Sequence, residues 1–207
     1  MRKSSRDYFD FVTNRCDELG VRLKLVNKPY VITGGMSCGG YFDASNLILC
    51  LGMDSPEGIR LGSLAHEANH MEQWAKKKKV WTDFEITGGL DIGVLISLWL
   101  KRLVELNDKQ LTEYIRKSQN LELDCEKMAV KVIRKWGLDI NIDRYIQMAN
   151  AYVKFYEVMK RERKWYKRWY LLGQDRLLLD SMPTEFQRRS WYNTVKGYDE
   201  LYQRSYM

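Results

Sequence analysis

The only two histidines of this chain stand in one five-residue string, His66-Glu67-Ala68-Asn69-His70. Residues four apart in an α-helix lie above one another on one face, so both imidazoles can reach a single cation. The glutamate between them then lies near that cation, where it can take a proton from metal-activated water. Two histidines placed at random would fall four apart in roughly one chain in a hundred of this length, and the required glutamate makes coincidence rarer still. We therefore predict that His66 and His70 bind a metal ion and that Glu67 is the catalytic base.

A third ligand must come from elsewhere in the chain, because catalytic zinc usually takes three protein ligands and leaves the fourth position to water. No third histidine exists, so this ligand is expected to be a carboxylate or a thiolate. The long helix predicted after the motif carries Glu122, Asp124 and Glu126, and Glu122 and Glu126 share one face. The residues alone leave these three acids open, whereas Cys125 beside them is more typical of a small buried apolar side chain.

The pattern of apolar residues around the motif predicts a mixed α+β fold. Alternation at 21–26 favours a strand, and two β-prone runs at 41–43 and 47–51, separated by a polar break, favour a hairpin. Apolar spacing of three and four residues favours helices elsewhere. The predicted helices cover residues 5–19, a motif helix from about residue 56 to a solvated lysine run at 76–79, and then 91–105, 107–136, 142–170 and 184–201.

The length of 207 residues is enough for one domain with a substantial core. We expect residues 1–136 to form that core and residues 137–207 to form a helical extension packed on it. Within the motif helix the apolar residues make one stripe, which leaves His66 and His70 on a different, accessible flank. The stripe consists of Leu61, Leu64, Ala65, Ala68 and Met71.

The string Glu122-Leu123-Asp124-Cys125-Glu126-Lys127-Met128-Ala129 resembles the E-x-x-A-D-x-x-A signature of the gluzincin metallopeptidases. The resemblance implies zinc as the metal, Glu122 as its third ligand, and Glu126 as the acceptor of a hydrogen bond from a histidine ring. It also implies a minimal zincin-like core over residues 21–136, with a small antiparallel sheet, an active-site helix and a ligand helix. The edge strand of that sheet would pair with an extended substrate peptide.

The chain departs from the gluzincin pattern at several positions. Cys125 stands where the signature has alanine, Glu126 replaces an aspartate or asparagine, and Glu72 is charged where peptidases usually carry an apolar residue. The interval from His70 to Glu122 is also longer than in compact members. More loosely, the acidic string and residues 149–152 are similar to uncharacterised metallopeptidase-like proteins encoded by phages.

The net charge of +7 is concentrated in the last quarter of the chain, where 12 Lys/Arg face 7 Asp/Glu from Lys154 onward. Basic and aromatic residues alternate at 160–170, which is compatible with nucleic-acid binding. We favour the alternative that Trp165 and Trp169 pack into the core and leave a solvated basic face. No signal peptide, membrane-spanning segment or C-x-x-C spacing is visible, so we expect reduced cysteines and a cytoplasmic protein, in the host cytoplasm if it is phage-encoded.

These features together predict zinc-dependent hydrolysis of peptide bonds in a peptide or protein substrate, with a tyrosine from 145–156 as a candidate second donor to the oxyanion. The alternative, from a different class, is a non-catalytic zincin-like protein that uses its basic helical half to bind nucleic acid or a host protein.

Overall fold

The computed structural model of the protein describes residues 3–86, 91–165 and 176–205. Helices and strands both occur, so the predicted α+β class is confirmed. The elements within the described residues are α1 (Lys3–Glu18), β1 (Arg22–Val26), β2 (Val31–Thr33), β3 (Met36–Cys38), β4 (Gly40–Asp43), β5 (Ile48–Gly52), α2 (Glu57–Ala75), α3 (Lys79–Thr82), α4 (Ile92–Leu100), α5 (Asp108–Trp136), α6 (Ile142–Glu162), α7 (Arg176–Asp180), α8 (Arg189–Tyr192) and α9 (Asp199–Ser205).

The main sheet has three strands in the order β1-β5-β4. β4 and β5 form the predicted antiparallel hairpin, with Gly40 opposite Leu51. The expectation of a wholly antiparallel sheet is wrong, because β1 pairs with β5 in parallel, with Arg22 opposite Ile48. β5 is the most apolar strand, and its three central residues are buried on both faces, so it takes the middle position between two more polar edge strands.

A second, two-stranded sheet lies within the glycine-rich segment 31–40. β2 and β3 pair in antiparallel fashion, with Thr33 opposite Met36. The two residues between them, Gly34 and Gly35, both have positive φ, at 57° and 87°. Two-residue hairpin turns of the primed type need this backbone conformation, and glycine adopts it without steric cost.

Helix α2 packs its apolar stripe on the main sheet and on α1. All five predicted stripe residues are buried, and all except Leu61 share one core with Tyr8, Val12, Leu49 and Leu51. The stripe therefore fixes the rotation of α2 about its axis, and with it the direction in which the histidines point.

Helix α5 follows the predicted bounds closely. Asn107 caps its start through a reciprocal capping box with Gln110, and Gly137 ends it in the left-handed conformation. α6 packs along α5 and ends earlier than predicted, since Arg163 takes the left-handed conformation after Glu162. Residues 166–170 of the predicted helix lie outside the described residues.

The single helix predicted at 184–201 is wrong, because α8 and α9 are short and separate. Buried side chains of α6 bind main-chain carbonyls of this segment, which competes with helix formation. Asn150 donates to the carbonyls of Pro183 and Glu185 at 2.8 and 3.0 Å, and Lys154 donates to that of Trp191 at 2.7 Å.

Candidate metal centre

The H-E-x-x-H string lies in the second half of α2, where α2 packs against α5. The predicted accessible flank holds only in part, because 15% of the His66 side chain is exposed to solvent whereas His70 is buried, at 8%. α6 closes the site from a further side, with the Tyr152 ring centroid 6.3 Å from that of His66. Gly62 permits this closure, since a Cβ at that position would lie 3.2 Å from the ring of Tyr145.

Three side-chain acceptor atoms meet between α2 and α5. The Nε2 atoms of His66 and His70 are 3.0 Å apart. Oε2 of Glu122 lies 3.3 Å from each of them. A tetrahedral zinc ion with bonds of about 2.0 to 2.1 Å separates its nitrogen and oxygen ligands by about 3.3 to 3.4 Å. The three atoms are therefore spaced as three corners of such a site.

The outward nitrogen of His66 contacts a carboxylate. Its Nδ1 lies 3.1 Å from Oε1 of Glu126, and Tyr145 donates its hydroxyl to Oε2 of the same carboxylate at 2.6 Å. An ionised carboxylate only accepts, so His66 carries its proton on Nδ1 and directs the Nε2 lone pair inward.

The outward nitrogen of His70 contacts an amide. Its Nδ1 lies 2.8 Å from Oε1 of Gln73. The amide nitrogen of Gln73 donates to the carbonyl of Leu121 at 3.1 Å and to Asp124 at 2.8 Å, so the amide oxygen faces the ring. His70 therefore also carries its proton on Nδ1 and directs its Nε2 lone pair inward.

The electrostatics of the site favour a positive charge at its centre. Burial lowers the pKa of both imidazoles, but Cys125 and Glu122, joined at His66 by Glu126, outweigh it and raise that pKa well above the usual value. Burial likewise raises the pKa of the Glu122 carboxyl, yet the two histidines hold it well below its usual range. Three carboxylates, at positions 67, 122 and 126, are buried together here. Protonated imidazoles balance these carboxylates when no metal ion is bound, and a divalent cation can take the place of those protons.

Cys125 offers a different third ligand atom. Its Sγ and one ring nitrogen each of His66 and His70 all lie within 4.8 Å of one another, so this group can also hold a metal ion. The thiol donates to the backbone carbonyl of His66 at 3.1 Å, which ties α5 to α2. Oε2 of Glu122 lies 3.3 Å from both Nε2 atoms and, unlike the thiol, makes no bond to a backbone carbonyl, so we take the carboxylate as the third ligand in the proposal below.

Glu67 lies beside the three acceptor atoms, against strand β4. Burial raises the pKa of its carboxyl, while the two histidines and the Phe42 backbone N–H partly offset that rise. Strand β4 approaches Glu67 closely at Gly40. A Cβ added at this position would lie 3.0 Å from Cγ of Glu67 and 2.8 Å from the carbonyl oxygen of Cys50, so the approach suits glycine. A glutamate with a raised pKa is suited to proton transfer near neutral pH.

Two tyrosines of α6 contact the far oxygen of Glu122. Tyr156 donates to Oε1 at 3.1 Å, and the half-buried Tyr152 lies at a longer 3.5 Å. Burial, followed by the charge of Glu122, raises the pKa of both phenols well above the usual value. Both hydroxyls therefore stay protonated and remain able to donate.

The remaining acidic candidate, Asp124, does not join the three acceptor atoms. It accepts from Lys78 at 2.7 Å as well as from Gln73, so the lysine run is not wholly solvated as predicted. Glu72, the charged departure from the peptidase pattern, points elsewhere and pairs with Arg15 at 2.6 Å and Lys76 at 2.7 Å.

Gln73 was not predicted from the sequence as part of the site, and Tyr145, which falls in the range 145–156 predicted to hold an oxyanion donor, instead donates to Glu126. Gln73 follows His70 by three positions and so shares its helix face, which is a signal that the sequence contained. Tyr145 lies 19 residues beyond Glu126, on another helix, and only the packing of α6 brings it there.

No protein family, curated protein or solved structure matches this chain significantly. Among the described residues, no helix combines the length and the apolar character needed to cross a membrane.

Proposed function

We propose that the protein is a zinc-dependent metallopeptidase with a gluzincin-like site. The observation that carries this proposal is the convergence of three acceptor atoms, from His66, His70 and Glu122, within 3.0 to 3.3 Å of one another. Both imidazoles direct lone pairs into this space, because Glu126 and Gln73 accept their outward protons. The donor set of two nitrogens and one oxygen suits zinc.

Zinc, when bound, would supply Lewis-acid activation of a water molecule and of the scissile carbonyl. Glu67 is then placed to accept the proton of the attacking water and to deliver it to the leaving amine. Its raised pKa supports this exchange, because a carboxyl that is too acidic would not hold the proton between the two steps.

Tyr152 is the favoured donor to the developing oxyanion. Tyr156 is buried and lies nearer to Glu122, so its role is to hold that carboxylate in place. Tyr152 is half-buried and contacts the carboxylate at a longer distance, so its hydroxyl is the more accessible of the two to a substrate.

Strand β4 supports binding of an extended peptide. The order β1-β5-β4 puts β4 at an edge of the sheet, and Gly40 brings this edge against Glu67. A substrate strand added at that edge would carry its scissile bond past the proposed base. The arrangement of sheet, α2 and α5 is the basis for proposing a zincin-like core.

The non-catalytic alternative has less support in the described residues. Arg161 pairs with Asp199 and with Glu162, and Arg163 pairs with Glu105 and the carbonyl of Trp99. Trp165 packs on Phe155, with ring centroids 5.4 Å apart, as the core-packing interpretation expects. Trp169 lies outside the described residues.

The proposal is tested by incubating zinc-loaded protein with a denatured-protein substrate and a peptide library. Glu67→Gln should retain zinc and lose cleavage, by about a thousandfold or more, because the base is removed while the three ligands remain. Glu72→Gln, the same substitution on the same helix at a residue that pairs with Arg15, is the matched control and should cleave like the wild type. Equal cleavage by wild type and Glu67→Gln would contradict the assignment.

A further inference from the structure

Gln73 is fully buried although it is polar and belongs to no part of the H-E-x-x-H string. It lies one helical turn after His70, and its amide makes three hydrogen bonds, at 2.8 Å to His70, 3.1 Å to the Leu121 carbonyl and 2.8 Å to Asp124. One side chain of α2 thus links a histidine of the site to the backbone and to a carboxylate of α5.

The orientation of this amide is fixed by acceptors. A backbone carbonyl only accepts, and both oxygens of Asp124 accept from the Lys78 ammonium, whose Nζ lies 2.7 and 2.9 Å from them. Rotating the Gln73 amide by 180° would place its oxygen against both acceptors. The nitrogen must therefore face α5 and the oxygen must face His70.

The two histidines consequently have outer partners of different charge. His66 donates to the carboxylate of Glu126, whereas His70 donates to a neutral amide. A carboxylate at position 73 would face Asp124 across a hydrogen-bond distance and would repel it. A neutral group with both a donor and an acceptor end is the one that satisfies His70 and Asp124 together.

We propose that Gln73 is a positioning residue that holds His70 in its Nδ1–H tautomer and ring orientation, with Lys78 and Asp124 fixing the amide from the opposite side. This inference rests on the proposed function in one respect, since it takes the inward Nε2 of His70 as a metal ligand. Its consequence is that metal affinity depends on a residue that never touches the metal.

A purely structural glutamine that joins α2 to α5 is the competing explanation, and the chain contains a matched control for it. Gln119 is also a buried glutamine whose amide donates to two backbone carbonyls, those of Val153 and Tyr192, and it contacts neither histidine. Gln119→Leu should therefore cost stability without changing the site, whereas Gln73→Leu should change both.

The test combines chelator-competition measurement of zinc affinity with NMR of the imidazole N–H groups. Because the chain has only two histidines, ¹⁵N-labelled zinc-loaded wild type should show two imidazole N–H signals protected from exchange. In Gln73→Leu, one signal should lose protection and zinc affinity should fall about ten- to a hundredfold. Gln119→Leu should keep both signals and wild-type affinity.

Several results would overturn the inference. If zinc-loaded wild type shows only one protected imidazole N–H signal, the inference is wrong. This result needs no variant, so it applies even if Gln73→Leu does not fold. Unchanged signals and zinc affinity within twofold of wild type in Gln73→Leu would also contradict it, while leaving the proposed function intact. A wild type that binds no zinc would instead remove the proposed function and this inference together.

Discussion

The Nε2 atoms of His66 and His70 lie 3.0 Å apart and face each other as acceptors, because each ring donates its outward proton, one to Glu126 and one to Gln73. Two lone pairs at this distance repel in a buried environment unless a positive charge lies between them. The inward oxygen of Glu122 adds a third acceptor. A positive charge at this point, carried by a ring proton or by a metal ion, therefore accounts for the arrangement of all three side chains.

Zinc binding should depend on Glu122 much more than on Asp124. Glu122→Gln replaces an anionic ligand by a neutral amide of the same shape and should weaken zinc binding by about a hundredfold or more. Asp124→Asn changes only the contacts of Asp124 with Gln73 and Lys78, so zinc affinity should fall by no more than about tenfold. Competition with a chelator measures the zinc affinity of both variants. A larger loss of zinc affinity in Asp124→Asn than in Glu122→Gln would reject Glu122 as the third ligand.

Cys125 should be dispensable for metal binding. Its thiol donates to the His66 carbonyl, so Cys125→Ala should remove a link between α5 and α2 and lower stability by about 1–2 kcal/mol. Zinc stoichiometry should not change. Cobalt-substituted wild type should lack a thiolate-to-cobalt charge-transfer band. If this charge-transfer band is present in wild type and absent from Cys125→Ala, the thiol is a metal ligand.

The two tyrosines on Glu122 should differ in what they contribute. Tyr152→Phe should lower kcat about a hundredfold with zinc affinity unchanged, because it removes the proposed oxyanion donor. Tyr156→Phe should mainly weaken zinc binding, since the Tyr156 hydroxyl holds Glu122 at 3.1 Å. Steady-state kinetics at saturating zinc separates the two effects. If Tyr156→Phe loses more kcat than Tyr152→Phe, the two roles are reversed and Tyr156 is the donor to the oxyanion.

Lys154 should make stability depend on pH away from the metal centre. It is 1% exposed, and burial lowers its pKa from 10.5 to about 8. Between these values the unfolded chain retains a proton that the folded chain has released, so raising the pH through this window stabilises the fold. Between pH 7.5 and 10, the unfolding free energy of wild type relative to Lys154→Met should rise by about 1–3 kcal/mol.

Denaturant unfolding of both proteins at each pH measures this difference, and subtraction removes the titration of the buried tyrosines and cysteines that the two proteins share. A difference that stays constant with pH would show that Lys154 titrates as it does in water.

The sequence predicted the local elements that depend on short-range rules. The capping residue Asn107 and the stop residue Gly137 set the bounds of α5, and the polar break at 44–46 set the β4–β5 hairpin. The parallel pairing of β1 was not predictable in this way, because it depends on which strand is buried on both faces. The helix expected at 184–201 failed because Asn150 and Lys154 bind main-chain carbonyls of that segment, which no local pattern reveals.

The candidate site was predictable where residues share a helix and less so where separate helices meet. The spacing of His66 and His70 on α2, and of Glu122 and Glu126 on α5, follows from helical periodicity. Which carboxylate turns to the Nε2 atoms and which to Nδ1 depends on the packing angle of α5 against α2. The contribution of Tyr145 depends on α6, whose Tyr145 ring lies close to α2 at Gly62, where an added Cβ would lie 3.2 Å from it.

Elemental analysis of the purified protein tests the central claim most directly. Wild type, loaded with zinc and dialysed against a weak chelator, should retain about one zinc ion per chain, and a His66→Ala/His70→Ala variant with a wild-type circular dichroism spectrum should retain less than about a tenth of that. Wild-type protein that carries no zinc and recruits none from solution, or a double variant that retains as much as wild type, would contradict the assignment of a metal centre to this site.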